Sequence, residues 1–181
     1  MTSSLTKLSS STTVQRYRSL ELGGEREKIA EFIIERFDER YFKPLLSCKY
    51  KSGFMILAVA CLVIETMESF YQGIPTTSGK GKGIFRSFFN RHPQLMQFIE
   101  GGDWFYSEIR CGILHQSETS GGWRVRRAGA ILDTNQRTIN ASKLIAELRI
   151  SLIQYAGELQ TDDEVWRRFT QKMNSVCGNC T

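Results

Sequence analysis

Eleven consecutive apolar residues, Phe54 to Ile64, constrain the fold of this 181-residue chain more than any other stretch. No charged side chain interrupts them, so no face of the segment is suited to water. A bilayer span needs roughly 20 such residues, and this run is well short of that. It reads as the middle of a helix, about Lys51 to Tyr71, buried on all sides at the centre of a helical core. The rest of the chain must then supply the helices that surround it.

Those helices are legible as apolar periodicity. After Gly23-Gly24, Ile29, Phe32, Ile33 and Phe37 recur near helical spacing, which predicts a helix over about Glu25 to Tyr41, ended by Pro44. Ile145, Leu148, Leu152, Tyr155 and Leu159 mark another, from about Ser142 to Leu159. Thr161-Asp-Asp-Glu164 reads as a capping box for a last helix presenting Val165, Trp166, Phe169 and Met173. Between these lie a short helix, Ile84 to Asn90, and another from Pro93 through Ile99, stopped by Gly101-Gly102. Asp103 then suits the N-cap of a helix whose apolar stripe is Phe105, Ile109 and Ile113. From Trp123 to Asn140 apolar and basic residues alternate around turn-forming Gly129, Asp133 and Asn135, which predicts a small two-stranded ribbon. The fold class expected is all-α, four to five main helices with that ribbon. Residues 1–18, rich in Ser and Thr, read as a disordered tail, 19–176 as one helical domain, and 177–181 as a C-terminal tail.

Charge and cysteine usage narrow the setting. A net charge of +5 and a pI near 9.0 suit a polyanionic partner. The five cysteines are odd in number, and Cys61 and Cys111 lie in apolar runs, as expected of buried thiols in a reducing compartment. The N-terminal stretch lacks the apolar core of a secretory signal, so a cytoplasmic protein without a membrane segment is expected. Cys177 and Cys180 form one Cys-x-x-Cys with neither a second pair nor a nearby histidine, so no metal or other cofactor is expected. His92, between Arg91 and Pro93, reads as a surface residue. Glu65 and Glu68, one turn apart, read as a solvated exit of the central helix rather than as a catalytic pair. The loop Gly73 to Gly83 contains Gly-Lys-Gly-Lys-Gly but lacks the spacing of a P-loop and a preceding strand. It reads as a basic loop, with Lys80, Lys82, Arg86 and Arg91 unaccompanied by any acid.

The residues that carry chemistry are Arg110 and His115, in Trp104-Phe-Tyr-Ser-Glu-Ile-Arg-Cys-Gly-Ile-Leu-His-Gln. Arginine is a permanent cation that can fork onto a phosphate. Histidine can move a proton near neutral pH. RNA carries its own nucleophile, the 2′-hydroxyl, and the two side chains are a minimal kit for cleaving it without metal. His115 would handle the proton, and Arg110 would stabilise charge on the phosphorane. On a regular helix the two are rotated by about 140° and do not share a face. Gly112 between them admits another backbone, which suits a cleft or a helix–helix seam. The alternative is structural, with Arg110 on a carbonyl and His115 on a carboxylate.

The Arg110-x4-His115 spacing within a helical chain resembles the signature of the HEPN superfamily. Over about residues 25 to 160 the helical pattern also resembles that superfamily, and the specific content lies in 104 through 127. The resemblance implies a four- to five-helix bundle that dimerises, with the motifs of two subunits meeting in a shared cleft. It further implies metal-independent endoribonuclease activity in toxin–antitoxin, phage-defence or RNA-processing systems, or else a module that has lost activity and binds RNA or a partner protein, such as an antitoxin. Lys80, Lys82, Arg124, Arg126 and Arg127 are the expected contacts to the RNA backbone. Cys111 stands where members often carry Asn, Asp or His, which sets the binding module against the enzyme. Ser117 stands where one toxin subgroup has a tyrosine that a nucleotidyltransferase modifies, which argues against that regulation. A helical scaffold with no nucleic-acid role is the third reading, favoured if the basic loops point away from the motif.

Overall fold

The apolar run lies inside a 20-residue helix, Gly53–Gln72, close to its expected bounds. The computed structural model describes residues 5–50 and 52–180. Among these the α-helices are α1 (Val14–Leu22), α2 (Arg26–Phe37), α3 (Lys43–Ser47), α4 (Gly53–Gln72), α5 (Gly81–Arg91), α6 (Cys111–Gln116), α7 (Ala141–Thr161) and α8 (Asp163–Gly178). The strands are β1 (Arg124–Arg126), β2 (Leu132–Asp133) and β3 (Thr138–Asn140). The protein is thus mostly helical with a small sheet. Where the sequence reads as one domain, the contacts form two compact units. One holds the described residues through Ser47, then Ser69–Thr76, then the chain from Leu152. The other holds Cys48–Glu68 and Thr77–Ser151.

The first unit is built on aromatic packing. Tyr17 is fully buried, with Phe32 at 5.8 Å and Phe169 at 6.3 Å between ring centroids. Phe70 stacks on Phe169 at 5.5 Å, and Tyr71 meets Tyr155 edge-on at 4.5 Å. Each such ring buries enough apolar surface to contribute about 2–3 kcal/mol.

The described part of the segment expected as a disordered tail, residues 5–18, is ordered. Leu8 is buried, Lys7 bridges Thr13, and Thr13 caps α1 by accepting the Arg16 N–H. The hydroxyls of Ser9, Ser10 and Ser11 all donate to the Glu35 carboxylate, and the Ser10 N–H donates to Glu39 at 2.9 Å. Arg36 and Arg40 both donate to the Leu8 carbonyl. Serines that look like solvating residues are here the donors that satisfy a carboxylate.

Pro44 does not end the second helix. A π-helical turn, Asp38–Phe42, follows α2, and the Lys43 N–H reaches back to the Asp38 carbonyl. Pro44 follows as the second residue of α3, and the chain stays helical from Arg26 to Ser47. The last helix is capped by Asp162, one residue later than expected, which accepts from the N–H groups of Glu164 and Val165 at 2.8 and 3.0 Å. That helix continues through Gly178 with Cys177 buried, so the expected tail from 177 is helical where it begins. Residue 181 lies outside the described residues, as do 1–4.

In the second unit Phe85, Phe88, Phe89, Phe98 and Phe105 form a buried cluster. Phe89 lies 5.1 Å from Phe105 and 5.4 Å from Phe98. His92 belongs to this cluster and is not at the surface: it is 3% exposed, with its ring centroid 4.4 Å from that of Phe88. Burial, helped by the charge of Arg91, pushes its pKa down to about 4.

The expected two-stranded ribbon is a three-stranded sheet of order β1-β3-β2. β1 pairs with β3 in parallel, Val125 opposite Ile139, and β2 pairs with β3 antiparallel, Leu132 opposite Ile139. The extra strand arises because Ile131-Leu-Asp turns back locally on Thr138-Ile-Asn. The indoles of Trp104 and Trp123 stack at 4.0 Å with 9° between their planes, tying the sheet to the helix that carries the motif.

α4 is the one helix among the described residues long and apolar enough to cross a membrane. Of its most apolar window, 56% is buried within the protein.

Candidate functional site

The motif helix runs from Trp104 to Gln116 in two parts. Phe105–Arg110 is π-helical, and Cys111–Gln116 is regular α-helix. Asp103 does not cap it. The Asp103 carboxylate is held bidentately by Arg86, at 2.7 Å at the closest. Phe105 and Ile109 anchor the helix in the core. Because Arg110 leads directly into the α-helical turn Cys111–Gln116, the two stay about 140° apart around the axis, some 7.5 Å along it.

Arg110 is not a free cation. Its Nε donates to Glu65 Oε1 on α4 at 2.8 Å, and its guanidinium lies 5.5 Å from the Tyr106 ring centroid. The Arg110 and Glu65 side chains retain 21% and 18% of their exposure, so the pair sits at the edge of the solvent. Burial works against the guanidinium charge. The hydrogen bond and charge of Glu65 outweigh it and hold the Arg110 pKa above the usual arginine value. The Cys111 thiol lies beside Arg110 and Tyr106, and burial followed by Cys111 raises the Tyr106 phenol.

The expected solvated exit of the central helix is therefore a pair of engaged carboxylates. Glu65 holds Arg110, and Glu68, fully buried, holds Arg91 at 3.2 Å. An unpaired carboxylate at either place would carry a large desolvation penalty.

Two further contacts bring the basic segment to this cluster. The Thr77 hydroxyl lies 3.5 Å from the second oxygen of Glu65. The Tyr106 ring packs directly on Gly81, leaving no room for a Cβ there. Gly81 is the first residue of α5, so the exposed Lys80 and Lys82 flank the ring on which Arg110 rests. The local potential is less positive than the sequence suggests, since Arg86 and Arg91 are matched by Asp103 and Glu68.

His115 stands apart. It is exposed in the last turn of α6, and its side chain makes no hydrogen bond or ion pair among the described residues. Ser117, left-handed at φ 57°, ends the helix. The backbone that Gly112 admits is the chain's own. A Cβ at Gly112 would lie 2.5 Å from the Glu118 carbonyl oxygen and 3.1 Å from the Ser120 nitrogen. Segment 118–120 thus folds back over the motif helix.

Of the sheet arginines, Arg124 donates to the Gln136 carbonyl at 2.8 Å and Arg127 to the Ser142 hydroxyl at 3.4 Å. Arg126 is exposed on the edge strand. Among the described residues no group of three or more His, Cys, Asp or Glu side chains could hold a metal ion.

The structure thus joins Arg110 to the start of α5, with Lys80 and Lys82, and leaves His115 outside that cluster. Thr77 and Tyr106 were not among the residues the sequence singled out, and Glu65 was read only as a solvated carboxylate and not as a partner of Arg110. Tyr106 had a signal, since it lies one turn before Arg110. Glu65 had a weaker one, as an acid closing an apolar run with no cation one turn away. Comparison with family models, curated proteins and solved structures finds no match for the chain.

Proposed function

We propose that the chain is a HEPN-type, metal-independent endoribonuclease acting in the cytoplasm, in a toxin–antitoxin or phage-defence role. The observation that carries the reading is the placement of Arg110, partly exposed on the motif helix and joined through Tyr106 and Gly81 to the start of α5, where Lys80 and Lys82 lie. A guanidinium and two exposed lysines in one patch suit a phosphodiester backbone. His115 takes the proton of the 2′-hydroxyl, O2′ attacks the adjacent phosphorus, and the P–O5′ bond breaks. The proton returns to the leaving oxygen, giving a 2′,3′-cyclic phosphate and a 5′-hydroxyl. Arg110 stabilises the charge gathered on the phosphorane.

One chain directs Arg110 and His115 to different faces, so the reading requires a homodimer in which the Arg110 of one copy meets the His115 of the other. Exposed apolar residues support such a seam: Leu62 precedes Glu65 by one turn, and Leu114 follows Arg110 by one turn. Lys80, Lys82, Arg124, Arg126 and Arg127 then contact the RNA backbone.

Purified protein incubated with single-stranded and structured RNA in EDTA tests this. Cleavage is expected, with His115→Ala and Arg110→Ala each lowering the rate by at least about 100-fold. Undiminished cleavage in both variants would sink the assignment of the site. A second reading, a non-catalytic module that binds RNA or a partner protein, is favoured by the Glu65 carboxylate, which already occupies Arg110. RNA binding without cleavage, weakened by Lys80→Ala and Lys82→Ala, would establish it.

A further inference from the structure

We infer that Glu65 is the positioning residue of this site: by engaging only the Nε of Arg110 it turns the outer edge of the guanidinium, Nη1 and Nη2, toward a phosphate. The inference rests on the RNA-cleavage reading and adds to it a residue from a different helix.

A guanidinium can present two edges to an oxyanion, one formed by Nε with one Nη and one formed by the two Nη groups. Glu65 Oε1 takes Nε at 2.8 Å and makes no hydrogen bond to either Nη. The Tyr106 ring lies beside the guanidinium, 5.5 Å from its carbon, and restricts its movement on that side. Thr77, at 3.5 Å from Oε2, steadies the carboxylate itself. Arginine has four side-chain torsions to lose when it binds phosphate, and this arrangement removes most of that freedom beforehand. The cost is charge. Glu65 neutralises Arg110, so attraction of the polyanion falls to Lys80 and Lys82, which carry no ion pair among the described residues. Capture and charge stabilisation are thereby divided between the start of α5 and the motif helix.

This division separates a positioning role from two others. If Glu65 merely blocks Arg110, removing it frees a cation, and both binding and turnover improve. If Glu65 only supports the fold, its removal lowers the melting temperature, and turnover of the folded fraction is unchanged. A positioning role gives a third pattern. Glu65→Ala lowers kcat by about 100-fold while KM stays level or falls, because an unneutralised cation still attracts RNA. Glu65→Gln, whose amide oxygen still accepts from Nε, recovers at least about tenfold of that loss. Turnover is referred to folded protein, measured by thermal unfolding of each variant.

A readout independent of cleavage accompanies the kinetics. In a proton–nitrogen correlation spectrum the Arg110 Nε–H, identified as the signal lost in Arg110→Lys, is expected to be protected from solvent exchange. Protection should persist in Glu65→Gln and vanish in Glu65→Ala. Turnover in Glu65→Ala equal to or above wild type overturns the inference, as does an unprotected Nε–H in the wild-type chain. If the wild-type chain cleaves no RNA, the functional reading fails, and the Nε–H signal alone decides whether Glu65 positions Arg110.

Discussion

Glu65 and Glu68, three residues apart on α4, each hold an arginine that is distant in sequence, by 45 and 23 residues respectively. Acids near the end of a helix ordinarily face water, and nothing local in the sequence reveals partners so far away. His92 is the same kind of case, since its basic neighbour and its proline suggest a turn at the surface. Its burial against Phe88 has a measurable consequence. The unfolded chain takes up a proton on His92 near 6.5, while the folded chain resists until about 4. Between those values the unfolded state binds more protons, so stability is complete above about 6.5 and falls as pH drops toward 4, by on the order of 3 kcal/mol. Denaturant midpoints measured across that window should fall for the wild-type chain and flatten in His92→Phe. An equal slope in the variant would place the pH dependence elsewhere.

At the scale of elements, the long apolar helices were legible, and their junctions and the short helix α1, which begins inside the segment read as a disordered tail, were not. The stripe Ile145, Leu148, Leu152, Tyr155 and Leu159 is buried throughout α7, as its spacing predicts. α4 starts and ends within two residues of its expected bounds. The junctions depend on hydrogen bonds that no periodicity encodes, such as the serine hydroxyls on Glu35 or the π-helical turn that carries the chain past Pro44. The motif helix illustrates the division. Its apolar stripe and the small residue at Gly112 were readable, but the segment that packs on Gly112 was not. Since a Cβ there would meet the backbone of Glu118 and Ser120, Gly112→Ala must displace segment 118–120. It is expected to cost about 1–3 kcal/mol, by the same physics as overpacking a core. Chemical denaturation measures it directly, and a loss below a few tenths of a kcal/mol would mean that the segment yields freely.

For the whole molecule, composition and periodicity conveyed the mostly helical class, and the chain's path through two compact units lay beyond them. Each unit has its own aromatic cluster, gathered from segments far apart in sequence around Tyr17, Phe70 and Phe169 in one, and from a single stretch around Phe89, Phe98 and Phe105 in the other. Of the candidate site, Arg110 and the basic loop were legible, and their linkage through Glu65 and Tyr106 was not. The pairing order β1-β3-β2 also imposes a sequence of events. β2 and β3 pair across five to seven residues, Asp133 with Thr138 and Leu132 with Ile139, whereas β1 pairs with β3 across fourteen, Arg124 with Thr138. The shorter closure has the smaller entropic cost. During refolding, pulse-labelled amide hydrogens of Leu132 to Asn140 should therefore be shielded before those of Arg124 to Arg126, so that the arginine-bearing edge is the last part of the sheet to form.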